Sequence, residues 1–124
     1  MSEIIIDYSR AEAIEDGEQI EVSKQLLQEA GFKFPLFITR GVNEIIQNAL
    51  TNNVNDYNGI MWDIINMLRF AIKASKRPTR TVKFKTAIFW TDNRSKDFEF
   101  IGEIGALDFD NHAPALTVML PSDI

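Results

Sequence analysis

From Thr81 onward the chain repeats with a period of two, which is the period of a strand and not of a helix. In TVKFKTAIFW, Val82, Phe84, Thr86, Ile88 and Trp90 fall on one side, with Lys83 and Lys85 on the other. After the turn residues TDNRSKD, the run FEFIGEIGAL returns Phe98, Phe100, Gly102 and Ile104 in phase. ALTVML, Ala115 to Leu120, supplies a third strand beyond the break at FDNHAP and stops at Pro121. Consecutive strands with short connections pair as an antiparallel meander. One apolar face of such a sheet has to be covered. The stretch from about Gly59 to Ser75 answers that need, because Asp63, Asn66, Arg69, Lys73 and Lys76 recur every three or four positions and leave only a narrow stripe for water. This is the expected central helix, buried apart from that stripe.

Upstream the elements are shorter. EIIID, Glu3 to Asp7, reads as a strand, and Asp16-Gly17 reads as a turn between two extended pieces. Ser23 stands where a helix N-cap belongs; Leu26, Leu27 and Ala30 form an apolar stripe, and Gly31 supplies the left-handed residue that ends helices. In FKFPLFIT, Phe32, Phe34, Leu36 and Ile38 alternate with Lys33, Pro35, Phe37 and Thr39, and the missing donor of Pro35 assigns that strand to a sheet edge. An exposed edge from Phe34 to Ile38 leaves a homodimer open. Val42, Ile45, Ile46, Ala49 and Leu50 then follow helical spacing. The expected fold class is α+β, an antiparallel sheet with a C-terminal three-stranded meander and about three helices packed on one face, forming a single domain over residues 1–124.

Composition excludes several chemistries. The 124 residues contain no cysteine, which removes disulfides, thiolate metal ligands and a cysteine nucleophile. No apolar run reaches the roughly 18 residues of a membrane span, and Met1 to Ile6 lacks the form of a signal peptide, so the cytoplasm is the expected location. The net charge of -5 conceals a polarised order. Residues 1–29 hold eight acids against Arg10 and Lys24, residues 69–85 hold seven bases and no acid, and residues 97–124 hold six acids and no lysine or arginine.

Three constellations bear on function. Basic residues with aromatics nearby suit a charged recognition face or a nucleic-acid surface, and Arg69, Lys73, Arg77, Arg80, Lys83 and Lys85 are the candidates. Phe84 and Trp90 share the face opposite Lys83 and Lys85 and are better suited to a core. At Thr39, Arg40 and Gly41 a strand runs into a helix, whose first N–H groups can receive an anion. One glycine and no Gly-Lys-Ser/Thr ending make this an ordinary helix start more readily than a phosphate loop. Asp108, Asp110 and His112 alternate in LDFDNHAP, yet a fourth ligand is missing and the spacing fits no closed zinc or EF-hand pattern, so no metal or cofactor is expected. His112 is the only histidine, and no Gly-x-Ser-x-Gly elbow accompanies it.

Four ordered segments, YSRAEAIEDG at Tyr8 to Gly17, IEVSKQLLQEAGFKFPLFIT at Ile20 to Thr39, GIMWDIINML at Gly59 to Leu68 and APALTVMLPSD at Ala113 to Asp123, carry a resemblance over nearly the whole chain. The sequence resembles a family of small uncharacterised proteins encoded on plasmids, integrative elements and phages; relatives are expected to carry arginine where this chain has Ile60. The resemblance implies a mobile-element accessory protein and carries no catalytic residues. The expected function is therefore non-enzymatic binding of a host protein or ribonucleoprotein, including inhibition of host defence in an anti-CRISPR-like manner. The alternative is direct nucleic-acid binding through the basic segment 69–85, with phosphate contacts that weaken as salt rises.

Overall fold

A computed structural model describes residues 9–76 and 79–123. The expected strand at Glu3 to Asp7, together with Arg77 and Pro78, lies outside the described residues. In chain order the elements are α1 (Arg10–Glu15), β1 (Gln19–Glu21), α2 (Lys24–Glu29), β2 (Leu36–Thr39), α3 (Arg40–Ala49), α4 (Tyr57–Ala74), β3 (Thr81–Phe89), β4 (Ser95–Asp108) and β5 (Asn111–Met119), with single 3-10 turns at Leu50–Asn52 and Pro121–Asp123. The architecture is α+β, and the five strands lie in the order β1-β2-β5-β4-β3. β3, β4 and β5 form the expected antiparallel meander, while β2 runs parallel to β5 and makes the sheet mixed.

The period of two translates into two faces. Val82, Phe84, Thr86 and Ile88 of β3 stand opposite Gly102, Phe100, Phe98 and Lys96 of β4, and the row continues into Val118 and Leu116 of β5 and Ile38 and Leu36 of β2. Helices α2, α3 and α4 cover this face and build the main core around Phe100, Ile38, Met61, Ile64, Ile65 and Leu68. Gly102 lets α4 approach closely, since a Cβ there would lie 2.5 Å from Leu68 Cδ1. Ser23 caps α2 as expected. Gly31, at φ +74°, ends it with the N–H of Phe32 donating to Leu27 O and that of Gly31 to Gln28 O, the paired bonds of a Schellman ending.

Three local expectations are corrected. The piece before Asp16-Gly17 is helix α1, not an extended segment; Ser9 and Glu12 close a capping box that the turn signal at Gly17 overshadowed. The strand expected from Phe32 begins only at Leu36, and it is interior, flanked by β1 and β5. Pro35 is tolerated because it precedes the ladder and contributes only its carbonyl, which accepts from Leu116 N. Phe37, which alternates with the apolar row of Leu36 and Ile38, is buried on the second side of the sheet beneath the Arg10 guanidinium, 4.2 Å from the ring centroid. Finally, α4 is not buried apart from a polar stripe: Trp62, Met67 and Phe70 are exposed beside Asp63 and Asn66. α2 and α3 pack toward the β1-β2 side, so among the described residues no helix flanks α4 on its β3 side. No helix among the described residues is long and apolar enough to cross a membrane.

Candidate functional site

β3 is an outer strand of the sheet, and its backbone direction follows from its hydrogen bonds. Ile104 N donates to Arg80 O and Trp90 N to Arg94 O, which identifies Arg80 and Trp90 as residues bonded toward β4. In an antiparallel pair this role alternates, so the N–H and C=O groups of Thr81, Lys83, Lys85, Ala87 and Phe89 point away from the sheet. Both ends of that edge are closed by side chains. The Thr79 hydroxyl accepts from Thr81 N and donates to Thr81 O, while Asn55 Nδ2 donates to Phe89 O at 2.6 Å, with Asn52 Nδ2 at 3.2 Å. Between the caps, the outward backbone groups of Lys83, Lys85 and Ala87 meet no partner among the described residues.

The side chains of these three residues leave the sheet on the face opposite α4, where Lys83 and Lys85 are exposed. On the next strand the same face carries an exposed acidic row, Asp97, Glu99 and Glu103, with Glu99 directly across from Lys85. Among the described residues the ion pairs within 4.0 Å are those of Arg40 with Glu18 and Glu44; the lysines of β3 join none. The basic run of the sequence is divided in space. Arg80, Lys83 and Lys85 lie on or beside β3, whereas Arg69 donates from Nη2 to Ala30 O at the end of α2 and, with Lys73, lines an apolar cleft of about 330 Å³ with Phe32, Phe34, Ile104 and Pro114. Arg77 is outside the described residues.

At the start of α3 the chain supplies its own anion. Asp123 Oδ2 accepts from the Thr39 hydroxyl at 2.7 Å and from Leu120 N at 2.9 Å. A Cβ on Gly41 would meet Leu120 Cδ1 at 2.8 Å and Asp123 Oδ2 at 3.7 Å, so this glycine admits the C-terminal turn. Thr39 Oγ1 also accepts from Val42 N, and Arg40 reaches Glu18 Oε1 at 3.1 Å. Of the three residues selected as an anion cradle, Thr39 hydrogen-bonds this carboxylate and Gly41 leaves room for it, while Arg40 pairs with Glu18 and Glu44 instead.

Asp108 is likewise committed. Its Oδ1 accepts from Arg10 N and Phe109 N and its Oδ2 from Ala11 N, which, with the Ser9-Glu12 box, satisfies the first N–H groups of α1. The Phe109 N–H, then those of Ala11 and Arg10 with the Arg10 charge, hold its pKa below the ordinary carboxylate value against desolvation. The Arg10 guanidinium donates to Leu107 O, exposed by the bulge between Ala106 and Asp108, to Gln19 Oε1, to Thr117 Oγ1 and to Ala106 O. Desolvation lowers the Arg10 pKa, opposed by Asp108 and Glu103. Burial raises that of Tyr57. Asp110 and His112 are exposed, and no three His, Asp or Glu residues among those described are arranged to hold a metal ion. The edge caps were missed in the sequence because Thr79, Asn52 and Asn55 read as ordinary turn residues; the polar cluster TNNVNDYN was the available signal.

The chain belongs to a family of unknown function (DUF6573), whose model matches residues 1–124. No curated protein and no solved structure matches it.

Proposed function

We propose that this protein is a non-enzymatic accessory protein of a mobile genetic element, acting in the cytoplasm by occupying a host macromolecular partner, with a component of host defence as the target. The observation that supports this reading is the edge of β3, where Lys83 and Lys85 stand exposed and, among the described residues, without an ion pair, between two capped ends. Charges placed this way raise the association rate and select partners by complementarity. Of the three residues Asp108, Asp110 and His112, Asp108 caps α1, while Asp110 and His112 are exposed. A nucleic-acid track is less well supported, since Asp97, Glu99 and Glu103 on the next strand leave a basic margin only one strand wide, too narrow to neutralise a run of phosphates.

The test is affinity capture from host lysate with the native chain and with Lys83→Glu/Lys85→Glu, the fold of both verified by circular dichroism. A stoichiometric protein or ribonucleoprotein retained by the native chain and lost from the variant is expected. Equal recovery by both forms, or no stoichiometric partner, overturns the proposal. Titration with single- and double-stranded DNA and RNA at low salt runs beside it; tight, steeply salt-dependent binding transfers the function to nucleic acid.

A further inference from the structure

We infer that β3 is a docking edge for an extended peptide segment of a partner protein, one with acidic residues at alternate positions and apolar residues between them, which adds to the sheet as a sixth strand. This rests on the reading of the protein as a binding protein and specifies how it binds. The backbone supplies the first argument. From Lys83 to Ala87 the edge offers outward N–H and C=O groups at every second residue, over about 16 Å between Cα extremes counting flanking half-spacings. Strand addition uses such a row, since main-chain hydrogen bonds hold the peptide and alternate side chains select it.

The chemistry on the two sides selects the sequence. Side chains of an added strand that point to the open face would stand next to Lys83 and Lys85, which have acids only on their inner side, so carboxylates are favoured there. Side chains that point the other way would meet the flank of α4. Because β3 is outermost, two depressions between it and α4 open beside the edge. One, of about 390 Å³, lies by Ala71, Ala74 and Val82 with Thr79 and Thr81, and the other, of about 490 Å³, by Ile60, Trp62 and Ile88 with Asn55, Asp56 and Asp63. Met67, 40% exposed, lies between them along α4. The apolar residues of α4 that the core leaves uncovered are thus available to the apolar positions of such a peptide. A second copy is a poor occupant: antiparallel β3-β3 pairing sets Lys83 and Lys85 against the same lysines of the other chain, and like charges facing each other across strands repel.

The probe is a fluorescein-labelled peptide of about nine residues alternating glutamate and valine. It is compared with a lysine-valine peptide of the same length and with a block peptide of the same glutamates and valines. Anisotropy gives affinity, and amide hydrogen exchange by NMR gives the mode. The alternating acidic peptide is expected to bind, the other two to bind at least about tenfold more weakly, and the amides of Lys83, Lys85 and Ala87 to gain protection on binding. Ala87→Pro keeps both lysines and removes only an outward donor, which edge strands tolerate; it is expected to weaken the peptide about tenfold or more, as is Lys83→Glu/Lys85→Glu. Absence of binding, equal binding of the lysine peptide, or binding without protection of those three amides overturns the inference. Protection that appears with rising protein concentration alone, together with dimers in sedimentation velocity, overturns it in favour of self-association. Lysate capture separates this failure from that of the broader reading. A partner held by the native chain and by Ala87→Pro, but lost from the glutamate variant, leaves a binding protein that does not work by strand addition.

Discussion

Thr86 faces the core from the middle of β3, 1% exposed, and its Oγ1 is the buried side-chain polar atom without a hydrogen-bond partner among the described residues. Its neighbours on that face are Phe84 and Ile88 along the strand and Phe98 directly across, so nothing beside it compensates the water it gave up. A buried hydroxyl left unpaired costs about 1–3 kcal/mol, and burying a methyl in its place contributes roughly a further 0.8 kcal/mol. Valine has almost the shape of threonine. After discounting for adjustment of the packing, Thr86→Val is expected to stabilise the fold by about 1 kcal/mol, a rise in Tm of about 3–5 °C for a chain of this length. Urea unfolding should show a higher midpoint at an unchanged slope, because the surface exposed on unfolding is nearly the same. Thr86→Ser, which keeps the hydroxyl and deletes the methyl, should lose about 1 kcal/mol. The reverse order, valine destabilising and serine neutral, would show that the hydroxyl is satisfied in solution and refute the argument.

Two further outcomes test the polar anchors. Asp108 is more acidic folded than unfolded, so its contribution is present above the unfolded carboxylate pKa and is lost as pH falls through the depressed folded value. Urea midpoints of the native chain should therefore fall between about pH 5 and pH 2 more steeply than those of Asp108→Asn, and superimposable acid limbs would contradict the cap. Asp123→Ala removes the acceptor of the Thr39 hydroxyl and of Leu120 N, with an expected loss of about 1 kcal/mol, part of which added sulfate should restore by entering the vacated start of α3. Unchanged stability in the variant argues against that role.

Legibility in the sequence followed the range of the interactions. The meander was readable because its alternation over Val82 to Ile88 is local, and so were the Ser23 cap and the Gly31 ending, each set by residues within a few positions. The interior position of β2 was not readable. It depends on a parallel pairing with β5, some eighty residues away, and the one local clue, Pro35, pointed to an edge because its place just before the ladder is invisible without the partner. The same distance hid the fates of Asp108 and Asp123, whose partners at Arg10, Ala11 and Thr39 lie at the other end of the chain. The basic residues were identified by composition, but composition could not divide Arg69 and Lys73, turned to one cleft, from Lys83 and Lys85, exposed on the sheet face opposite α4.

Charge and topology together give the proposed docking edge its selectivity. A strand as long as β3 at the margin of a sheet invites pairing with any extended chain, and the other margin, β1, avoids this by being only three residues long. β3 carries instead two lysines at the positions whose backbone groups point outward, and its ends are closed by Thr79 and by Asn52 and Asn55. In the proposed docking, lysines so placed disfavour the β3-β3 registers that set them against each other and favour a strand of opposite sign within the window the caps leave. Discrimination of this kind needs a repulsive element as much as an attractive one, and here the same side chains provide both. The acidic row on β4 then sharpens the choice, since it holds Lys83 and Lys85 out as a basic margin one strand wide, suited to a single extended segment better than to a broad polyanion.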